Sequence, residues 1–416
     1  MSEMSEMYNL NIKLNQQIEI HRKSEFEIQF FLPNGQPIQN ADVELKLKHH
    51  HFLFGTAVTG NPADPKDQWY FDFIQQNFNA VVDENGMKWY SVEKEKNKIN
   101  HTHADQLVSW ASKQNIAIRG HCLFWDREKF VQPWINDLSN EELKARMETH
   151  IVRMCERYRG TVICWDVNNE MLDGGYYSKR LGDDIRVWMF KRAHELDPQA
   201  TLFVNEFSIL GNTEKTERFI QLIKTLQDAG APVTGIGIQE HSVERLAIGR
   251  SASTGEIIEI ERQHHAPLTY EEMIKTLDRL GELNLPIHLT EISVKTPCLQ
   301  ERADKLEAFY RIAYSHPAVK ALLVWGFWGK RHWLGSDAAL VEGKDKILPA
   351  GKQISNLIKN EWCTQVVTKT DLSGRIKFTG HYGIYEGNIV VQNQNECAKI
   401  RVELLPNATV IKSFIE

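Results

Sequence analysis

The chain has 416 residues and nowhere a run of eighteen apolar ones, so no segment reads as a membrane-spanning helix. Its opening, MSEMSEMYNL, lacks a basic start followed by an apolar core, and no signal peptide is expected from it. The six cysteines show no CxxC spacing; Cys122 and Cys164 fall within apolar runs as small buried groups, a usage that allows a reducing compartment. A formal net charge of −6 gives no electrostatic reason to expect nucleic acid. Neither GxGxxG nor GxxxxGK[ST] follows the first apolar run, which removes the usual nucleotide-phosphate signals. With 25% charged and 42% hydrophobic residues, the chain can bury a large core and a small second one.

What the chain does have is a pair of glutamates in matching contexts, one in WDVNNE (Trp165 to Glu170) and one in HLTEIS (His288 to Ser293). Each lies within a stretch rich in β-branched and aromatic residues, which places each carboxylate near the tip of a buried strand. Taken singly, either glutamate could be a satisfied ion-pair member. Eight compact apolar runs change that balance: FLFGTAV from Phe52, FNAVVDE from Phe78, IAIRGHCLFW from Ile116, TVICWDVNNE from Thr161, ATLFVNEF from Ala200, VTGIGIQEH from Val233, PIHLTEIS from Pro286 and VKALLVWGFW from Val319. Helical patterns separate them, with start signals at Ser139, Asp183, Asn212 and Thr269. Strands alternating with helices imply a parallel sheet. Eight of them, over the roughly 250 residues such a fold needs, imply a closed (β/α)₈ TIM barrel rather than an open sheet.

In such a barrel the C-terminal strand ends carry the chemistry. Glu84, Asn85 and Lys88 then follow strand two, His121 and Trp125 end strand three, and Asn169 and Glu170 end strand four. Gln239 and His241 end strand six, Glu291 ends strand seven, and Trp325, Trp328 and Trp333 follow strand eight. Carboxylates, amides, imidazoles and indoles on one rim suit a neutral, hydroxyl-rich ligand, because sugar hydroxyls pair with the former and apolar sugar faces stack on the latter. Each Trp taken alone also fits core packing.

These motifs resemble the glycoside hydrolase family 10 endo-β-1,4-xylanases, in order from about His51 to Trp362: ENGMKW, RGHCLFW, WDVNNE, NEF (Asn205 to Phe207), GIGIQEH, LTEIS and the Trp-rich segment after strand eight. The wording of NEMLDGGYYSKRLGDD and WGFWGKRHW is most similar to the modular branch, including plant members. The resemblance implies a retaining glycosidase that cleaves internal β-1,4 linkages of xylan or xylo-oligosaccharides, with Glu170 as acid/base and Glu291 as nucleophile. No cofactor or metal is implied. Retaining enzymes hold their carboxyls roughly 5 to 5.5 Å apart, so the charge on Glu291 should keep Glu170 protonated until Glu291 is esterified. Asn169 is expected to bond the hydroxyl beside the reacting carbon. The resemblance further implies substrate contacts at Glu84, Asn85, Lys88, His121 and Trp125, hydrogen bonds from Gln239 and His241 to the two glutamates, and an aromatic wall of Trp325 and Trp333.

Three positions depart from the family pattern. Ser293 stands where an Asp commonly orients the histidine, Glu206 and Phe207 where Asp and a hydroxyl-bearing Tyr are common, and Asp126 where a His is frequent. These imply an active enzyme whose pH profile, rate or preferred substrate differs from that of a typical xylanase. No signal peptide is visible, but a polymeric substrate argues for export; a secreted or periplasmic protein is expected if a leader was removed and a cytoplasmic one otherwise, and the oligomeric state stays open.

Outside the barrel, expected over 51–362, both flanks carry strand and hairpin signals. FEIQFFL and VELKLK lie in the stretch 8–50, and RIKFTGHYGIYEGNIVVQ, AKIRVELL and TVIKSF in 363–416. Together they suffice for one small β-sandwich, either a structural support or a carbohydrate-binding module. The segment Val243 to Pro267, with GRSASTG and IIEIER, is long for a barrel loop and reads as an exposed hairpin or as one that narrows a sugar cleft. Two rival functions remain: a metal hydrolase using His49 to His51, His101, His103, His121, His241 or His288, which are too scattered in sequence to converge readily, and a non-catalytic glycan-binding protein on the same scaffold.

Overall fold

The computed structural model describes residues 3–247, 267–391, 396–406 and 410–414. The chain forms two compact units, one comprising Phe54–Ala313 and Ala318–Gly351, the other Met1–Leu53, Tyr314–Pro317 and Lys352–Glu416.

The first unit is the barrel. Its strands are β1 (Leu53–Val58), β2 (Ala80–Asp83), β3 (Ala117–Gly120), β4 (Val162–Asn169), β5 (Thr201–Phe207), β6 (Gly235–Glu240), β7 (Ile287–Ile292) and β8 (Val319–Val324), one from each expected run. Neighbours pair in parallel, β8 lies beside β1, and the β3–β4 pairing closes the cylinder. The strands are buried on both faces, as their near-continuous apolar runs require. Strand three is shorter than its apolar run: β3 stops at Gly120, and Phe124–Trp125 forms a separate short strand beside Asn168 and Asn169 of β4.

Helices follow the strands as expected. Ser139 and Thr269 close capping boxes with Glu142 and Glu272, and the Asn212 side chain accepts from the Lys215 amide. Asp183 occupies its cap position without a side-chain hydrogen bond. No helix among the described residues is long and apolar enough to cross a membrane. Of the long segment after β6, residues 248–266, including GRSASTG and IIEIER, lie outside the described residues. Its two ends meet where Ala247 donates to the Leu268 carbonyl at 2.8 Å.

The second unit holds two sheets. One orders Arg375–His381, Lys23–Phe31 and Val410–Phe414; the other orders Gln365–Lys369, Asp42–His50, Gly383–Val391 and Glu396–Leu404. Every sheet mixes strands from both ends of the chain. Period-two burial turns Phe26, Ile28 and Phe30 from one sheet and Val43, Leu45 and Leu47 from the other into a shared core. One feature differs from the sequence reading. The stretch expected to be strand from Tyr8 begins with a helix, Glu3–Arg22. Leu10, Leu14 and Ile18 recur every fourth residue among Glu, Met, Lys and Gln, a helical period with helix-favouring neighbours, and Leu14 and Ile18 are buried. The alternating runs that guided the expectation begin only after this segment.

Candidate active site

The two catalytic candidates are set by irregularities in their strands. In β4 the pairing with β5 shifts register between Asp166 and Asn168, so Asp166 and Asn169, three residues apart, both engage side chains inside the barrel. In β7 a shift between Leu289 and Glu291 lets the adjacent Thr290 and Glu291 side chains both reach Asn205. Glu170 follows the end of β4 with φ +59°, a left-handed conformation costing a side-chain-bearing residue roughly 1–2 kcal/mol. Its amide donates to the Asn205 carbonyl at 3.0 Å, which anchors that turn.

Amide groups connect the two carboxyls. Asn205 Nδ2 donates to Glu291 Oε1 and to Asn169 Oδ1, each at 2.9 Å. Asn169 Nδ2 lies 3.4 Å from Glu170 Oε1, and Gln239 Nε2 donates to Asn169 Oδ1 at 3.2 Å. Thr290 Oγ1 donates to Asn205 Oδ1 at 2.7 Å, which fixes the orientation of that amide. Gln239 thus bonds Asn169 directly, while His241 Nε2 sits 3.3 Å from Glu291 Oε2.

Both carboxyls are buried, and their surroundings drive them apart electrostatically. Burial raises the pKa of Glu170 and the charge of Glu291 adds to it, opposed by the Trp125 indole, Arg127 and Gln239. Burial is therefore the leading cause, ahead of the carboxylate repulsion expected from the sequence. For Glu291 burial also acts upward, but the hydrogen bond from His241 and the charges of His121, His241 and Lys88 hold it below the usual carboxylate range. One carboxyl tuned to hold its proton and the other to release it is the division of roles that a glycosidase pair needs.

The remaining predicted residues line the same mouth. His121 Nδ1 lies 2.8 Å from Asp166, and its Nε2 3.9 Å from Glu291. Lys88 Nζ lies 4.6 Å from the Trp125 ring centre and 5.9 Å from that of Trp325. Asn85 accepts from the Tyr90 hydroxyl at 2.6 Å, and its own amide lies 3.4 Å from Glu84. Trp333, 42% exposed, stands edge-on to His241, with ring centres 4.8 Å apart. Glu84, Asn85, Lys88, Trp125, Glu170, Gln239, His241, Glu291, Trp325 and Trp333 all border one cleft of about 870 Å³. Asn169 and His121 lie beneath it, in contact with the glutamates. Trp328 packs against Trp69 and donates to the Glu342 carbonyl.

Several functional groups escaped the sequence reading. Asn205 was visible in NEF but only as a motif residue; nothing in its spacing announced that it reaches both partners. Arg119 and Asp166 form a buried ion pair, and Arg119 Nη1 also lies 2.9 Å from His288 Nδ1, which places His288 inside the barrel. Arg127 Nη1 lies 3.5 Å from Glu170 Oε2, and Phe130 stacks on Trp125 at 3.5 Å. At the departing positions, Ser293 Oγ lies 3.3 Å from His241 Nδ1, Phe207 carries Lys215 Nζ 3.7 Å from its ring centre, and Asp126 is buried against Arg186 at 2.8 Å. Among the described residues, no group of three or more His, Cys, Asp or Glu side chains is arranged to hold a metal ion.

A closed parallel barrel with two oppositely tuned glutamates bordering one cleft at the C-terminal ends of its strands is the architecture of a barrel glycosidase. The family model for glycosyl hydrolase family 10 matches residues 44–355, and the chain belongs to that family. It is 34% identical over 382 residues to the anti-sigma-I factor RsgI6 of Acetivibrio thermocellus, covering 92% of this chain and 47% of the relative. It is 33% identical over 389 residues to endo-1,4-beta-xylanase 1 of Arabidopsis thaliana, covering 93% and 38% respectively. The chain thus spans less than half the length of these curated relatives. Among solved structures, xylanase 10B of Thermotoga maritima superposes with a TM-score of 0.64 at 27% identity, covering 75% of this chain and 96% of that one. Xylanase 10B of Thermotoga petrophila, solved with xylobiose, matches with the same score and identity, covering 75% of this chain and 95% of that one.

Proposed function

We infer that the chain is a retaining endo-1,4-β-xylanase acting on xylan or xylo-oligosaccharides. The observation that carries this is the opposed tuning of Glu170 and Glu291 across the Asn169–Asn205 amide bridge. Glu291 attacks the anomeric carbon while Glu170 protonates the departing glycosidic oxygen, giving a glycosyl ester on Glu291. Esterification removes the negative charge that helped keep Glu170 protonated. Glu170 then accepts a proton from water, which releases the sugar with its original anomeric configuration. Asn169, held by Asn205 and Gln239, presents its amide to the hydroxyl beside the reacting carbon, and Trp325 and Trp333 supply apolar faces. The names of the plant and Thermotoga relatives support xylan as the substrate class.

A second reading, glycan binding without turnover, draws on the identity to a protein named as an anti-sigma factor. One experiment separates the two: digestion of defined xylo-oligosaccharides, with product masses and anomers followed by NMR. Turnover with retained configuration is expected for the parent. Glu291→Ala should lose at least about a thousandfold in rate. Glu170→Ala should still react with activated aryl glycosides and then stall at the ester. Binding without products from the parent would establish the second reading.

A further inference from the structure

Near its end β5 presents two adjacent polar residues in opposite directions. Asn205 points into the barrel, where it bridges the catalytic pair, while Glu206, next in the chain, bonds to the segment that follows Glu170. Glu206 is 0% exposed, its Oε1 accepts the Leu172 amide at 2.9 Å, and its Oε2 has no hydrogen-bond partner. Leu172 lies two residues beyond Glu170, whose own amide is held by the Asn205 carbonyl. Two consecutive residues of β5 therefore grip two backbone N–H groups of one turn, the turn that holds Glu170 in a left-handed conformation. Other anchors of the segment act on its carbonyls and its far end: Arg186 donates to the Met171 carbonyl at 3.1 Å, and Lys215 pairs with Asp173 at 2.5 Å.

We propose that Glu206 is a positioning residue for the acid/base, its buried carboxyl accepting the Leu172 amide and thereby fixing the direction in which Glu170 addresses the glycosidic oxygen. The inference rests on the function proposed above. A carboxyl in this place acts as a neutral acceptor. Burial raises its pKa to about 8; the hydrogen bond from Leu172 and the charge of Lys215 oppose that rise, and the charges of Glu170 and Asp173 add to it. An ionised carboxylate here would bury a charge that no cation among the described residues contacts and push the pKa of Glu170 up, whereas the neutral form does neither. An amide could replace it; an apolar group would leave the Leu172 N–H buried without a partner.

The test compares Glu206→Ala and Glu206→Gln on two substrates, xylotriose, whose leaving sugar needs protonation, and a dinitrophenyl xylobioside, whose leaving group does not. For Glu206→Ala, kcat/KM on xylotriose should fall by roughly tenfold to a hundredfold, and on the aryl glycoside by less than about threefold. Glu206→Gln should restore the xylotriose value to within about twofold and leave the alkaline limb of its pH profile where the parent has it. Equal losses on both substrates, or no loss on either, would overturn the proposal. So would Glu206→Gln performing as poorly as Ala, or shifting the alkaline limb toward acid by more than about half a unit, since that would mean an ionised Glu206 in the parent. If Glu206→Ala does not fold, the Gln limb decides alone. An inactive parent enzyme would instead count against the function proposed above.

Discussion

Ser293 offers a hydroxyl 3.3 Å from Nδ1 of His241, the ring whose Nε2 faces Glu291. In either protonation state of the ring the Ser293 hydroxyl can complete a hydrogen bond at Nδ1 while Nε2–H donates to Glu291, so Ser293 takes part in orienting the histidine. The hydrogen bond from this ring is the first of the influences that lower the Glu291 pKa, ahead of the charges of His121 and Lys88. Replacing His241 by Ala removes the first downward influence on the Glu291 pKa, so the acid limb of kcat/KM should move up, as a pH series on xylotriose would show. Arg127 acts on the other carboxyl. It lies 3.5 Å from Glu170 and lowers its pKa. Arg127→Gln should let that pKa rise and carry the alkaline limb upward, by a modest shift because Arg127 is partly exposed and screened. A downward shift would show that Arg127 does not act through charge. Among the residues bordering the cleft, those at or just beyond a strand tip, such as Glu170, Glu291 and Trp325, were legible from residue type and motif. Asn205 and Arg127 were not, because their roles depend on which neighbours a register shift or a loop brings within reach.

At the scale of elements, the barrel was readable because each strand is a compact apolar run and several helices announce their starts. Ser139 illustrates the second signal: its hydroxyl accepts the Glu142 amide while Glu142 returns to the Ser139 amide. Ser139→Ala should cost about 1 kcal/mol of stability with kcat unchanged, measured by urea unfolding and steady-state assay. A loss of activity at preserved stability would mean that this helix start does more than cap. The helix Glu3–Arg22 was missed because its buried stripe is only one residue wide per turn and the neighbouring strands gave the stronger pattern. The shifts at Asp166 to Asn168 and Leu289 to Glu291 were also beyond reach, since a bulge depends on pairing between strands and leaves no mark on either one alone.

At the scale of the whole molecule, each unit buries histidines that burial keeps neutral. In the barrel unit His150 and His332 are pushed down to about 3; in the sandwich unit His50 is pushed down to about 4 and His381 to about 2. A depressed folded-state pKa means that the unfolded chain binds the proton first, so this stability is complete above about 6.5 and is lost as pH falls below that value. Each such group should cost on the order of 2 kcal/mol at pH 5 relative to pH 7. Urea midpoints taken between those pH values should fall steadily, and a flat profile would contradict the burial assigned to these rings. Strands from both termini share each sheet of the sandwich, which explains why two flanks that look unrelated in the sequence make one core.

The proposed assignment of Glu291 as nucleophile is tested most directly by incubating the protein with a 2-deoxy-2-fluoro xylobioside bearing an activated leaving group and mapping the labelled peptide by mass spectrometry. One fluorosugar attached to Glu291, formed in step with loss of activity, is the predicted result. Attachment to any other residue, or hydrolysis with inverted configuration and no label at all, would contradict it.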